Sequence, residues 1–116
     1  MKKAIVTGGA GFIGSNLVDK LIDMDVIVSV IDDFSTGKME NTNSNAHYWK
    51  RDISDIDINE LTTFMEGVDI VFHAAAKARV QPSIEDPISF NKANVDSTLK
   101  ILLAASRAGV KRVVYS

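Results

Sequence analysis

Short apolar runs alternate along the chain with longer stretches in which apolar residues recur every three or four positions. The short runs are rich in Ile and Val, which favour the pleated backbone of a strand. The run over residues 26–31 is almost continuously apolar, which is typical of a strand covered on both faces of a parallel sheet. Strands are predicted at residues 4–6, 26–31, 69–73 and 113–115, with a weaker candidate around Tyr48 and Trp49.

The first two helices are predicted from side-chain spacing and from end signals. Residues 13–24 carry apolar side chains at spacings of three and four, which indicates an amphipathic helix. A second helix is predicted to begin at Asp57, because Asp57 and Glu60 have the spacing of a capping box, and to end near Gly67. The expected core face of the first helix consists of Ile13, Leu17, Val18, Leu21 and Ile22.

The third helix is predicted to be the longest. Asp86 and Pro87 supply an N-cap and a first-turn proline, and Gly109 is placed to end the helix. Its expected core face consists of Ile88, Val95, Leu99, Leu102 and Leu103.

Strands and helices therefore alternate along the chain, which requires crossover connections between parallel strands. The Asn-Gly and Asp-Gly pairs that signal antiparallel hairpins are absent from the sequence. We predict an α/β fold with a doubly wound parallel sheet, truncated after about the fifth strand, in one domain over residues 1–116.

The composition narrows the function classes. The 116 residues include 13 Lys and Arg against 15 Asp and Glu, a net charge of −2 without a basic cluster, which weighs against nucleic-acid binding. The absence of cysteine excludes a disulfide framework, a thiolate nucleophile and a cysteine zinc site. No apolar run approaches the ~18 residues of a membrane span, and the apolar start breaks at Gly8, too early for a signal peptide. We expect a cytoplasmic protein with no membrane partner.

Glycines cluster where the first strand is predicted to meet the first helix. Gly9, Gly11 and Gly14 give the pattern G-x-G-x-x-G, and Asp32 follows Gly14 by 18 residues at the end of the next strand. Together these are the elements of a dinucleotide-binding fingerprint, in which bare backbone and a helix N-terminus receive the pyrophosphate. The alternative is a glycine turn that serves only the packing of helix on strand.

Asp32 bears on the choice of cofactor. A carboxylate at this position accepts hydrogen bonds from the ribose hydroxyls of NAD, whereas it repels the 2′-phosphate of NADP. The nearest cation downstream is Lys38. The sequence therefore predicts NAD, the alternative being that Asp32 is an ordinary acid at a strand end.

The motifs Thr7 to Gly14, Asp32 to Gly37, Asp52-Ile53 and His73 to Ala76 together resemble those of the extended short-chain dehydrogenase/reductases, which have a Rossmann-type fold. Within that family the resemblance is to NAD-dependent nucleotide-sugar epimerases and dehydratases, and it runs along the whole chain. It implies an epimerase whose NAD transiently oxidises a nucleotide-sugar substrate. A dehydratase or decarboxylase of the same family, and a non-catalytic NAD-binding sensor module, remain open.

The resemblance also implies which residues contact the cofactor. The opening turn would bind the pyrophosphate, and Asp32 with the loop after it would bind the adenosine ribose. Asp52 would contact the adenine by its side chain and Ile53 by its backbone. The segment after the fourth strand would line the nicotinamide half. These residues are Gly8, Gly11, Phe12, Ile13, Gly14, Asp32, Asp33, Phe34, Ser35, Thr36, Gly37, Asp52, Ile53, Ala74, Ala75, Ala76 and Lys77.

His73 is the one histidine that invites a catalytic role, because imidazole titrates near neutral pH. We interpret it instead as a strand-end histidine held by local hydrogen bonds, and the family's histidine in this motif is not its acid–base residue. The family resemblance leaves Arg79 and Gln81 open between a sugar contact and a solvated loop. No His, Asp or Glu cluster has metal-ligand spacing, so we predict no metal.

The family's catalytic Tyr-x-x-x-Lys is absent from these residues: Tyr48 has Asp52 four positions on, and Tyr115 is followed only by Ser116. We therefore read the chain as the N-terminal portion of such an enzyme and expect these 116 residues alone to be catalytically inactive. A terminal apolar strand leaves a sheet edge uncovered, so we also expect self-association into a homo-oligomer.

Overall fold

The computed structural model of the chain describes residues 2–33, 39–74 and 87–115. Its strands are β1 (Lys3–Thr7), β2 (Ile27–Asp32), β3 (His47–Lys50), β4 (Ile70–His73) and β5 (Arg112–Tyr115). Its helices are α1 (Phe12–Asp23), α2 (Ile58–Phe64) and α3 (Pro87–Ala108). Each predicted strand and helix is confirmed to within two residues at the ends that the structure describes, except that α2 ends at Phe64, three residues before Gly67. Two short 3₁₀ turns, Met39–Asn41 and Ile53–Asp55, were not predicted from the sequence.

The five strands form one parallel sheet in the order β3-β2-β1-β4-β5, which confirms the doubly wound α/β fold. The chain builds the sheet outward from β1 to β3 and then returns to the other side of β1 for β4 and β5. In register, Thr7 at the end of β1 lies between Ile31 of β2 and His73 of β4. The carboxyl ends of these central strands therefore meet at one edge of the sheet.

Apolar side chains cover both faces of the sheet, as the continuous apolar run of β2 indicates. On one face Ile5, Ile31 and Val71 pack against α2, α3 and the Ile53–Asp55 turn. On the other face Val6 and Val30 pack against α1, with their neighbours on the same strands. Alternation along a strand sends successive side chains to opposite faces, so each central strand contributes to two cores.

The predicted core face of α3 is wrong where the structure describes its side chains. Leu99, Leu102 and Leu103 are exposed, while Ile101, Ala104 and Ala105 are buried at 2% exposure or less. Both sets have the spacing of a helix face, and a shift of two residues turns a helix by about 200°, so the two faces are nearly opposite. The small alanines let α3 approach the sheet closely, which the larger leucines would prevent. Ile88 and Val95 lie outside the described side chains.

Ile13 is likewise not part of the core face of α1, because its side chain is 72% exposed in the first turn. The rest of that face is confirmed, with Val18 and Leu21 buried and Leu17 and Ile22 packed against them.

The structure confirms Asp57 as the N-cap of α2 and the end of α3 at Gly109. The Asp57 carboxylate accepts a hydrogen bond of 3.0 Å from the Asn59 N–H and caps α2. The capping box is incomplete among the described residues, because the Glu60 side chain accepts from Arg51 at 3.2 Å and not from the Asp57 N–H. After α3 the Val110 N–H reaches back to the Ala105 carbonyl at 2.9 Å across Gly109, which is how many helices end at glycine. Asp86 lies outside the described residues.

In the described parts of the chain, no helix combines the length and the apolarity needed to cross a membrane. Tyr115 of β5 is 64% exposed and lies at a sheet edge of the described structure. Self-association through that edge stays a prediction.

The two faces of α3 give a matched test of which one is buried. Ile101→Ala should lower the free energy of unfolding by about 2–5 kcal/mol, because it opens a cavity between helix and sheet. Leu99→Ala removes a similar volume from the exposed face and should change that free energy by less than about 1 kcal/mol. Urea denaturation of both variants measures the difference, and equal losses would contradict the assignment of the faces.

Candidate functional site

The candidate site lies at the topological switch point of the sheet, between β1 and β4. β1 leads outward to β2 on one side, and β4 lies on the other side of β1. The helix that follows β1, α1, packs on one face of the sheet, and the helix that follows β4, α3, packs on the other face. In open α/β sheets this arrangement leaves a crevice above the carboxyl ends of the two strands. Ligands of open α/β sheets bind in crevices of this kind, and the predicted glycine turn, Asp32 and Ala74 all lie at this edge.

Besides Gly9, where a Cβ would lie 2.6 Å from the side chain of the buried Val30, two glycines of the opening turn are required by backbone constraints of the fold. Gly8 has φ +73°, a left-handed conformation that side chains disfavour, and its N–H donates to the Ile31 carbonyl at 2.8 Å. At Gly14 a Cβ would collide with the Gly8 carbonyl oxygen and lie 2.9 Å from the Cα of Gly9. Glycine at position 14 therefore allows α1 to begin directly against the turn.

Gly11 differs from these two, because the unliganded fold makes no demand for glycine there. Its φ of −76° and ψ of 175° are extended backbone that any residue adopts. A Cβ at this position would meet only the Gly8 carbonyl oxygen, at 3.5 Å, an ordinary van der Waals distance. The space left by the missing side chain lies at the N-terminus of α1, where a ligand can approach the backbone.

The N-terminus of α1 is suited to an anion. Gly11 is the N-cap and has no side chain that could satisfy the first N–H groups of the helix, and the first turn contains no acidic residue. Phe12 and Ile13, predicted to present their N–H groups to phosphate, direct their side chains outward at 82% and 72% exposure. The contact of their N–H groups with phosphate stays a prediction, and the exposed side chains leave it to the backbone.

Asp32 ends β2 and is buried at 7% exposure beside the glycine turn. Its Oδ2 accepts a hydrogen bond of 2.8 Å from the Ala10 N–H. Asn41 donates to the Ala10 carbonyl at 3.2 Å, so both polar backbone groups of that residue are held. Asp32 thus fixes the turn, a role that the sequence alone did not suggest. Asp33 follows it and is half-buried, and residues 34–37, predicted to border the adenosine, lie outside the described residues.

Asp52 and Ile53 follow β3 at the same edge. The Asp52 Oδ1 accepts from the Ser54 N–H at 3.0 Å and the Ser54 hydroxyl at 2.8 Å, which caps the Ile53–Asp55 turn. The Ile53 side chain is buried at 4% exposure in the core. Only its backbone is available to a ligand, and the backbone contact with adenine stays a prediction.

Ala74 begins the connection after β4. Its N–H donates to the Thr7 hydroxyl at 2.9 Å and lies 3.2 Å from the Thr7 carbonyl oxygen. These contacts fix the path of the backbone out of β4 beside the crevice. Ala75, Ala76 and Lys77, together with Arg79 and Gln81, lie outside the described residues.

Thr7 was missed as a site residue, although a hydroxyl inside a buried apolar strand is a recognisable signal. Besides Ala74, it binds His73, whose Nδ1 lies 2.8 Å from the Thr7 Oγ1. The His73 Nε2 lies 3.1 Å from the Thr98 Oγ1 of α3. Because the Thr7 hydroxyl is closer to Nδ1 than to the Phe72 carbonyl at 3.5 Å, we assign donation from Thr7 to Nδ1, with the ring proton on Nε2.

His73 is therefore a structural histidine, as interpreted from the sequence. It is 4% exposed, and its burial lowers the pKa of the imidazole below the ordinary value of 6.5. Neutral imidazole links β1, β4 and α3 through two hydroxyl groups. Among the described residues no group of three His, Asp or Glu side chains lies close enough to hold a metal ion.

Comparison with known proteins gives a consistent result. The model of the NAD dependent epimerase/dehydratase family matches residues 4–116. A UDP-glucose 4-epimerase of Mycolicibacterium smegmatis is 38% identical over 119 residues, covering 98% of this chain and 38% of that protein. A UDP-N-acetyl-alpha-D-glucosaminuronate decarboxylase of Bacillus cytotoxicus is 36% identical over 118 residues, covering 99% of this chain and 36% of that protein.

Among solved structures, the UDP-glucose 4-epimerase of Thermotoga maritima with UDP-glucose superposes with a TM-score of 0.90 at 38% identity. The match covers 97% of this chain and 37% of that chain. This chain thus spans slightly more than a third of the length of the relatives it matches.

The burial of His73 predicts a pH dependence of stability. Because the folded pKa is lowered, the unfolded chain binds more protons below about pH 6.5, so the contribution of this group is complete above that pH and falls as the pH drops. Denaturation between pH 7.5 and 5 should show a slope of up to about 1.4 kcal/mol per pH unit that His73→Gln removes. His47→Gln, at an exposed position, is the control and should keep the slope. A slope unchanged in His73→Gln would refute this account.

Proposed function

Because this chain belongs to the NAD dependent epimerase/dehydratase family, we propose that its residues form the NAD-binding portion of a nucleotide-sugar epimerase of the UDP-glucose 4-epimerase type. The observation that carries the proposal is Gly11, which the fold does not require and which leaves the backbone bare at the N-terminus of α1. Relatives with this activity match almost the whole chain, which supports the choice of reaction.

The site residues fit the cofactor in a consistent order. The turn at Gly8, Gly11 and Gly14, with the N–H groups of Phe12 and Ile13, holds the pyrophosphate through hydrogen bonds and the helix dipole. Asp32 accepts from the adenosine ribose while its Oδ2 holds the Ala10 N–H. When bound, NAD takes up a hydride from the sugar and returns it.

Segments on either side of the turn bind the adenosine and nicotinamide ends of the cofactor. Asp33 and the loop Phe34, Ser35, Thr36 and Gly37 border the adenosine, and Asp52 and Ile53 hold the adenine. Ala74 lies beside β1 and β4, where the hydrogen bonds to Thr7 set the direction of the backbone. With Ala75, Ala76 and Lys77 it lines the nicotinamide half, and the small side chains let a flat ring lie against the strand ends.

A second candidate reaction is decarboxylation or dehydration of a nucleotide sugar. A decarboxylase matches this chain at an identity close to that of the epimerases. The two proposals share every residue assigned above and differ in what happens to the sugar, so both predict a nucleotide-sugar substrate for the whole enzyme.

Gly11→Ala separates the demands of the ligand from those of the fold. Its φ and ψ suit alanine, so the free energy of unfolding should stay the same or rise by about 0.4–1 kcal/mol. NAD affinity, measured by isothermal titration calorimetry, should fall roughly tenfold or more, because the new methyl group occupies the approach to the backbone. Gly14→Ala is the contrasting variant and should lose about 1–3 kcal/mol of stability, because its Cβ collides with backbone. Undiminished NAD affinity in Gly11→Ala would contradict the pyrophosphate site.

The assignment of Asp32 predicts a preference for NAD over NADP. Asp32→Asn removes the charge but keeps an oxygen for the Ala10 N–H, so it should reduce the preference without unfolding the turn. Asp32→Ala should in addition cost about 1–3 kcal/mol of stability, since it leaves a buried N–H without its acceptor. Calorimetric titration of both dinucleotides into the three proteins tests this, and a preference of the unmodified protein for NADP would overturn it.

A further inference from the structure

Lys100 of α3 makes an unusual set of contacts for a surface lysine. Its Nζ lies 2.6 Å from the Ser54 carbonyl oxygen, 3.0 Å from that of Ile56 and 3.4 Å from that of Ile53. An ammonium group has three donors, and all three acceptors here belong to the backbone around one 3₁₀ turn. The side chain is half-buried and so spans the gap between α3 and this turn.

The 3₁₀ turn that Lys100 contacts is also fixed by apolar packing in the core. Ile53 and Ile56 are buried at 4% and 0% exposure, and they pack in the same core cluster as Ile101, the next residue of α3. One helix therefore supplies both an apolar contact and a charged donor to the same short segment. A 3₁₀ turn of three residues has poor internal hydrogen bonding, so its geometry depends on such outside contacts.

This turn carries the predicted adenine contacts. Asp52 caps it through Oδ1, and no hydrogen bond to its Oδ2 is formed within the described part of the chain. Oδ2 is thus the oxygen that can accept from a ligand, and its position depends on the backbone of the residues that follow. Lys100 touches three carbonyls of that backbone and leaves Asp52 itself uncontacted.

We propose that Lys100 is a positioning residue for the adenine end of the nucleotide site: it fixes the Ile53–Asp55 turn so that the Asp52 carboxylate accepts from the adenine amino group. This inference rests on the proposed function, since it requires that the chain binds NAD. A lysine that only stabilised the fold would affect binding of all dinucleotides equally. A positioning lysine affects discrimination at the 6-position of the base.

The experiment compares NAD with nicotinamide hypoxanthine dinucleotide, which has an oxo group in place of the adenine amino group. The unmodified protein should bind NAD more tightly, because a site built to accept from an N–H group rejects an analogue that lacks it. In Lys100→Met, NAD affinity should fall roughly tenfold and the ratio of the two affinities should move toward one. Lys100→Arg keeps a cationic donor, so it should retain most of the NAD affinity and most of the preference for NAD over the analogue.

Two controls make the result specific. Lys111→Met removes an exposed lysine just before β5, at the sheet edge opposite the site, and should leave the affinities and their ratio unchanged. Asp52→Ala should abolish the discrimination, and adding Lys100→Met to it should reduce the ratio no further. If Lys100→Met does not fold, Lys100→Gln keeps two amide donors and serves for the same comparison.

The outcomes distinguish a failure of the proposed NAD-binding function from a failure of the role proposed for Lys100. An unmodified protein that fails to bind NAD refutes the proposed function. If the protein binds NAD but the ratio of NAD affinity to analogue affinity is the same in the unmodified protein and in the folded Lys100 variant, the role of Lys100 alone is overturned. The same holds if the unmodified protein binds NAD with no preference over the hypoxanthine analogue.

Discussion

The close approach of two backbone segments, at Gly8 and Gly14, is the constraint on which the rest of this site depends. No side chain fits between the start of α1 and the turn that precedes it, because even a methyl group at position 14 would collide with the Gly8 carbonyl. The helix axis is therefore fixed relative to the end of β1. The N-terminus of α1, which has no side-chain cap, is thereby placed beside the end of β1 by packing alone.

Polar groups are buried around this contact only where each has a partner. Asp32 and Thr7, at the ends of neighbouring strands, bind the backbone N–H groups of Ala10 and Ala74 respectively. Asp32 thus supplies an acceptor to the turn, and the Thr7 hydroxyl adds a second acceptor beside the Thr7 carbonyl for the Ala74 N–H. The same arrangement keeps acceptor groups next to the crevice, so stability of the sheet edge and suitability for a ligand have a common origin.

The sequence predicted the strands, the helices and the parallel sheet, because buried runs of Ile and Val and the end signals at Asp57, Pro87 and Gly109 are local features. It failed on the core face of α3, where Leu99 and Ile101 lie on helix faces of equal periodicity and only the proximity of the sheet decides between them. The glycine turn was recognisable because four glycines lie within seven residues, between a predicted strand and a predicted helix. The contact of Lys100 with the Ile53–Asp55 turn was not, because 44 to 47 positions separate the partners and nothing local to either segment indicates the contact.

Gly11 and Gly14 illustrate how the demands of a fold and those of a ligand can be told apart within one motif. Position 14 is glycine because the protein's own backbone occupies the space of a side chain, whereas the space at position 11 is open and its dihedral angles are ordinary. An epimerase and a decarboxylase both match nearly the whole of this chain at similar identity. Both reactions belong to one NAD dependent family, so the step that they have in common is holding the dinucleotide. The pyrophosphate contact that we propose at Gly11 serves that step, because an open glycine at a helix N-terminus leaves the backbone accessible to a phosphate.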